Sequence, residues 1–153
     1  WYQRRVRGMF QNIEILDLVN VKRSEKYEQI TADEIFQFLR QVRDPEHPSM
    51  TLEDLKVVNK SSIEINDLNN TIVVEFVPTT PNCSMGAIIG LAIKVLLMRI
   101  LPLRFHIQVI CKAETHETWK SLNKQINDKE RVLAAMSNPN VMKVIEQSLV
   151  IDI

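Results

Sequence analysis

From Thr31 onward, apolar positions recur with helical and strand periods in turn, and the order of those periods predicts the architecture. Ile35, Phe36, Leu39 and Val42 have helical spacing behind Thr31-Ala32-Asp33-Glu34, a capping box in which hydroxyl and carboxylate satisfy opposing backbone donors. Asp44-Pro45-Glu46-His47-Pro48 stops that helix, because neither proline can continue it. Val57-Val58 through Ile65 and Thr71 through Val77 are rich in β-branched residues, with turn residues Asn66 to Asn70 between them, so a hairpin follows. Met85 to Arg99 reads as a helix ended by Pro102, and its Gly86 and Gly90, four apart on one face, predict close approach of a neighbouring element. Phe105, Ile107, Val109 and Cys111 alternate with Arg104, His106 and Gln108, as in a half-buried strand. The rest reads as helices, with caps at Asn127-Asp128-Lys129-Glu130 and Asn138-Pro139 and an apolar face of Val141, Val144, Ile145 and Leu149. The order predicts a two-layer α+β domain over residues 31–153, a small mixed sheet with helices on one face. Residues 1–30 read as an N-terminal extension with a flexible part.

Composition narrows the function classes. The chain has 153 residues, of which 45% are apolar, enough for one domain with a real core. Lys plus Arg equals Asp plus Glu at 19 each, so no charge excess draws in nucleic acid or an anionic membrane, and neither is expected as a partner. The longest apolar stretch, Met85 to Leu101, carries Lys94 and Arg99 and is short for a membrane span. Two cysteines make no disulfide framework, which predicts reduced thiols in cytosol or nucleus.

Cys83 carries the most chemistry. It follows Phe76-Val77-Pro78-Thr79-Thr80-Pro81-Asn82, where a strand ends in two prolines and a helix pattern begins just after the thiol. A sulfur at a helix N-terminus is expected to favour thiolate, the form that acts as nucleophile and soft metal ligand. The bland alternative is a small buried hydrophobe. His116, on a loop after a strand, is a candidate ligand or base, or a solvated loop histidine; His47 and His106 read as surface residues. Asp44 and Glu46 are either metal-site carboxylates or ordinary helix-stop residues. The polar run from Asn123 to Arg131 reads as a solvated helix face. There is no Gly-rich phosphate loop, CxxC, His pair at metal spacing or nucleophile elbow.

Five of these segments together resemble the eukaryotic cytosolic iron-sulfur assembly component two family, also called MMS-nineteen-interacting or Galla-like. They are Asp33-Glu34-Ile35-Phe36, Asp44-Pro45-Glu46-His47-Pro48, Phe76 through Met85, Ile89-Gly90-Leu91, and Asn123 through Val132, in order over residues 31–149. The Asn123 run and Ala134 through Asn140 resemble the A-type paralogue more than the B-type. The resemblance implies an iron-sulfur cluster assembly fold and a non-enzymatic targeting adaptor that delivers clusters to apoproteins of cytosol and nucleus, with a linked role in chromosome segregation. It implies a WD-repeat scaffold and client iron-sulfur apoproteins as partners, and a homodimer that includes a domain-swapped form. The family's functional thiol falls on Cys83, its Asp-Pro-Glu aspartate on Asp44, and its loop histidine on His116, which the resemblance makes metal or cluster contacts; partner-binding residues are unassigned. No tightly bound cofactor is expected, only a transient iron-sulfur cluster or adventitious zinc. Two positions depart from the family pattern: Asn82 stands where a histidine is usual, and Glu114 where a glycine is usual, which predicts a reshaped loop. The alternatives from other classes are a Cys83–His116 thiol enzyme and a purely structural interaction module.

Overall fold

A computed structural model describes residues 30–149, so all but Ile30 of the expected extension, and the last four residues, lie outside the described part. Helix α1 is Ala32–Leu39, opened by Thr31, whose hydroxyl accepts from the Glu34 N–H at 3.3 Å. It ends before Val42, which is buried beyond the helix at the start of a loop that returns through an isolated bridge between Arg43 and Thr51. Strands β1 (Ile63–Asn66) and β2 (Thr71–Phe76) form the expected antiparallel hairpin, in register from Ile63 opposite Val74 to Asn66 opposite Thr71. The first strand is shorter than expected. Val57 and Val58 are buried but belong to a turn that follows Lys56 at φ 57° and leads into a 3-10 turn, Lys60–Ser62, capped by Asn59. Their branched side chains report burial; the one ladder-like bond there among the described residues is Val77 N–H to the Val57 carbonyl at 2.9 Å.

Strand β3 (His106–Cys111) lies parallel to β2, with Thr71 opposite His106 and Phe76 opposite Cys111, in the order β1-β2-β3. Parallel neighbours need a crossover, and α2 (Gly86–Ile100) provides it. Its face, with Ile89, Ile93, Leu96 and Leu97, packs with Ile72, Val74, Phe76 and Val109 from the inner sheet face into a core whose members are almost fully buried. Burial on that scale contributes about 1.5–3 kcal/mol per large side chain. The other sheet face carries Glu64, Val73, Glu75 and Gln108, all at least partly exposed, so the helices do lie on one face. Helices α3 (Trp119–Asn127), α4 (Lys129–Met136) and α5 (Pro139–Ser148) complete the layer. Asp128 and Asn138 cap α4 and α5 through their side-chain oxygens, as the pattern predicts.

The polar run on α3 is no mere solvated face. β3 is an edge strand, and its outer backbone groups need partners away from water. Asn127 supplies a matched pair: Oδ1 accepts from the Val109 N–H at 3.1 Å and Nδ2 donates to the Val109 carbonyl at 2.9 Å. One helical turn earlier Asn123 does the same for Cys111, at 2.7 and 3.4 Å. Two amides spaced i, i+4 on a helix therefore stand in for a fourth strand, since residues so spaced share a face and strand positions i, i+2 share an edge direction. Between them Ile126 faces Gly90: a Cβ built on Gly90 would lie 2.2 Å from Ile126 Cδ1 and 3.2 Å from the Phe76 ring. The predicted close approach at the two α2 glycines is present.

Candidate functional site

Cys83 sits in the irregular segment between β2 and α2, two residues before Met85, the N-cap of α2. Its backbone N–H reaches the Thr80 carbonyl at 3.2 Å, which folds the segment into a turn and carries the side chain inward. Cys83 is 5% exposed, with Thr79 Oγ1 3.9 Å from Sγ. Burial pushes its pKa above the ordinary cysteine value; the Met85 N–H and the Thr79 hydroxyl oppose this, while the negative charges of Glu46 and Asp44 add to it. This runs against the expected thiolate: desolvation, with two nearby carboxylates, raises the pKa in spite of the Met85 N–H at the start of the helix.

Asp44 reaches the same neighbourhood from the loop after α1. It is 1% exposed, its Oδ1 accepts from the Glu46 N–H at 2.7 Å and the His47 N–H at 3.3 Å, and Oδ2 has no hydrogen-bond partner among the described residues. The carboxylate therefore shapes the Asp-Pro-Glu-His-Pro turn with one oxygen and leaves the other buried and open. Glu46 is exposed and accepts from Ser84 Oγ at 2.9 Å, which ties this turn to the residue after Cys83. His47 is exposed, as expected, and its Nδ1 is 3.7 Å from Asp44 Oδ1.

His116 is 9% exposed rather than solvated. Its Nδ1 accepts from the Thr118 N–H at 3.0 Å, so in the neutral ring the proton is on Nε2, which donates to the Cys83 carbonyl at 2.8 Å. Beside it the Glu117 N–H donates to the Pro81 carbonyl at 2.8 Å. Three separate motifs thus converge on one loop, yet His116 bonds the Cys83 backbone and not its sulfur. Among the described residues no three His, Cys, Asp or Glu side chains gather as a metal site.

Glu114 takes the backbone conformation that a glycine at its position would favour. It adopts φ 66°, the left-handed conformation that glycine takes without a Cβ penalty. Thermal or denaturant unfolding of Glu114→Gly is expected to show a gain of about 0.5–1 kcal/mol, since relief of a non-glycine αL residue exceeds the extra chain entropy lost. A loss of stability would show that the glutamate is held by something other than backbone geometry. Ser84, Glu117 and Thr118 were not singled out by sequence reasoning; their proximity to the candidate cysteine and histidine is the only signal that marks them.

Comparison with known proteins bears on what this convergence is for. The family model described as iron-sulfur cluster assembly protein matches residues 32–107, which run from α1 through Cys83 into β3. Mouse cytosolic iron-sulfur assembly component 2B is 48% identical over 120 residues, 78% of this chain and 73% of that one. Protein AE7 of Arabidopsis thaliana is 47% identical over 116 residues, 76% and 73% of the two chains, and MIP18 family protein galla-2 of Drosophila melanogaster is 47% identical over 116 residues, 76% and 74%. The chain belongs to the MIP18 family of iron-sulfur cluster assembly proteins. The resemblance read from its motifs is therefore correct at family level. The paralogue letter in the mouse name is B, so these names lend the A-type preference no support.

Proposed function

We propose that this chain is a non-enzymatic targeting adaptor of cytosolic iron-sulfur protein assembly, and that Cys83 is the thiol through which it engages the cluster or the machinery that hands it over. The convergence of three motif loops on Cys83 carries this reading: the Asp44 turn, the start of α2 and the His116 loop are bonded to one another around a single sulfur. Those bonds run through the backbone and the neighbouring side chains and fix the place of the sulfur among the three loops. One thiol cannot hold a cluster alone, because clusters take four protein ligands, so the cluster is cargo shared with a partner, a client or a second copy of the chain. Zinc on this thiol would be adventitious.

On this reading the domain docks a WD-repeat scaffold and serves client apoproteins of cytosol and nucleus, with chromosome segregation affected through such clients. A homodimer, including a swapped form, is one way to bring two such thiols together. The thiol-enzyme alternative has less support: a base must reach the proton it removes, whereas both nitrogens of His116 are bonded to backbone N–H and carbonyl groups. Co-purification of the tagged chain from its own cytosol, wild type beside Cys83→Ala, tests the adaptor. Both forms are expected to recover the WD-repeat scaffold in equal yield, since the substitution removes a buried sulfur and leaves the surface intact. Recovery of no assembly factor with either form would overturn the reading.

A further inference from the structure

We propose that His116 is a positioning residue that latches the Cys83 loop shut, so that the thiol is presented only when the bond from His116 Nε2 to the Cys83 carbonyl is released. The inference rests on the reading of Cys83 as the working thiol and adds how that thiol is withheld.

The latch is built at the end of the sheet where the parallel strands β2 and β3 both finish. The loop after β3 carries a ring whose two nitrogens have fixed and opposite duties, Nδ1 accepting from the Thr118 N–H at 3.0 Å and Nε2 donating to the Cys83 carbonyl at 2.8 Å. The other bond to that carbonyl, from the Gly86 N–H, is long at 3.4 Å, so His116 is its principal partner. The start of α2 lies against the ring: a Cβ on Gly86 would make an ordinary contact with His116 Nε2 at 3.5 Å and a tight one with Leu122 Cδ1 at 3.2 Å. The ring is 9% exposed, so its bond lies away from water, where an unmade bond costs most. The strap on the opposite side, Ser84 to Glu46, is exposed and contributes less.

The segment being held has little of its own to keep it in place. Between β2 and α2 it has no regular structure, and its internal bond from the Cys83 N–H to Thr80 is 3.2 Å. Segments with few internal bonds open locally at a fraction of the cost of global unfolding. Opening here turns the side chain of a buried residue toward solvent and removes the burial that raises its pKa, so access and reactivity rise together. His116 does this without touching the sulfur, which separates it from a base or a ligand.

Cys111 is a built-in control, because it is equally a free and buried cysteine but lies in β3, outside the loop. Iodoacetamide labelling of the full chain is followed at each cysteine by mass spectrometry for wild type, His116→Phe and His116→Gln. The phenylalanine variant keeps a ring and loses the donor; glutamine keeps a neutral donor and has no basicity. His116→Phe is expected to speed Cys83 labelling about tenfold, the effect of removing one buried hydrogen bond, with Cys111 unchanged. His116→Gln is expected to stay near wild type. An unchanged Cys83 rate in His116→Phe, parallel acceleration of both cysteines, or a glutamine variant as fast as phenylalanine would each overturn the latch. None of these rates depends on clusters or clients, so a failed latch is distinguishable from a failed adaptor.

Discussion

Replacement of Asn127 by leucine is expected to destabilise the domain by about 2–5 kcal/mol in denaturant unfolding, the largest effect of any single polar substitution considered. The side chain keeps its approximate volume, but the Val109 N–H and carbonyl lose their side-chain partners among the described residues, at 3.1 and 2.9 Å, while Val109 itself is fully buried. Each buried group left unsatisfied costs about 1–3 kcal/mol, and two are orphaned at once. The Asn127 amide also donates to the Asn123 carbonyl one turn earlier, so the seam along β3 loosens at both amides. Stability within about 0.5 kcal/mol of wild type, the range of ordinary surface substitutions, would show that α3 does not complete the sheet edge.

The second large effect is expected at Gly90. Alanine is the better helix former by about 1 kcal/mol, so at an exposed helical site Gly90→Ala would stabilise. Here the added methyl falls 2.2 Å from Ile126 Cδ1, 2.9 Å from Cγ1 and 3.2 Å from the Phe76 ring, and both neighbours are fully buried. Neither can move into open space, so overpacking of about 1–3 kcal/mol is expected to exceed the propensity gain. Ile126→Val removes the atom in closest conflict. Gly90→Ala combined with Ile126→Val should therefore be more stable than the sum of the two single costs, a coupling that a double-mutant cycle measures directly. Strict additivity would mean that α2 shifts as a body and the contact with α3 is soft.

These two sites mark where the sequence was legible and where it was not. Apolar periodicity reports which face of an element is covered, so α2, β2, β3 and the capped starts of α4 and α5 could be read from spacing and caps alone. The spacing of Gly86 and Gly90 even announced a close approach, although not that Ile126 would fill it. Polar residues are different, because their burial depends on partners distant in sequence. Asn123 and Asn127 lie among charges that mark a solvated face, and only the neighbouring edge of β3 gives their amides a task. The usable signal was their i, i+4 spacing on a helix that follows an edge strand. His116 and Asp44 could be chosen as candidates but not oriented: one ring bonds a backbone carbonyl, and one carboxylate folds its own turn. At Cys83 the local rule of the helix N-terminus pointed to thiolate, and burial beside Glu46 and Asp44 reversed it. Val57 and Val58 failed for the converse reason, since β-branching answered to burial in a turn.

On the proposed reading, a buried thiol whose pKa is raised suits a factor that would meet a cluster only in the right complex. An open thiolate would bind stray metal and oxidise, whereas the latch proposed above would expose this sulfur only when its loop opens.

The most direct test of the central claim replaces the cellular chain with Cys83→Ala and measures iron loading and activity of a cytosolic iron-sulfur client, with scaffold binding scored in the same cells. The account predicts that the client loses its cluster while the variant stays folded and bound to the scaffold, because only the sulfur is missing. Full client loading with Cys83→Ala would contradict it, and would leave Cys83 as a packed core residue of an interaction module.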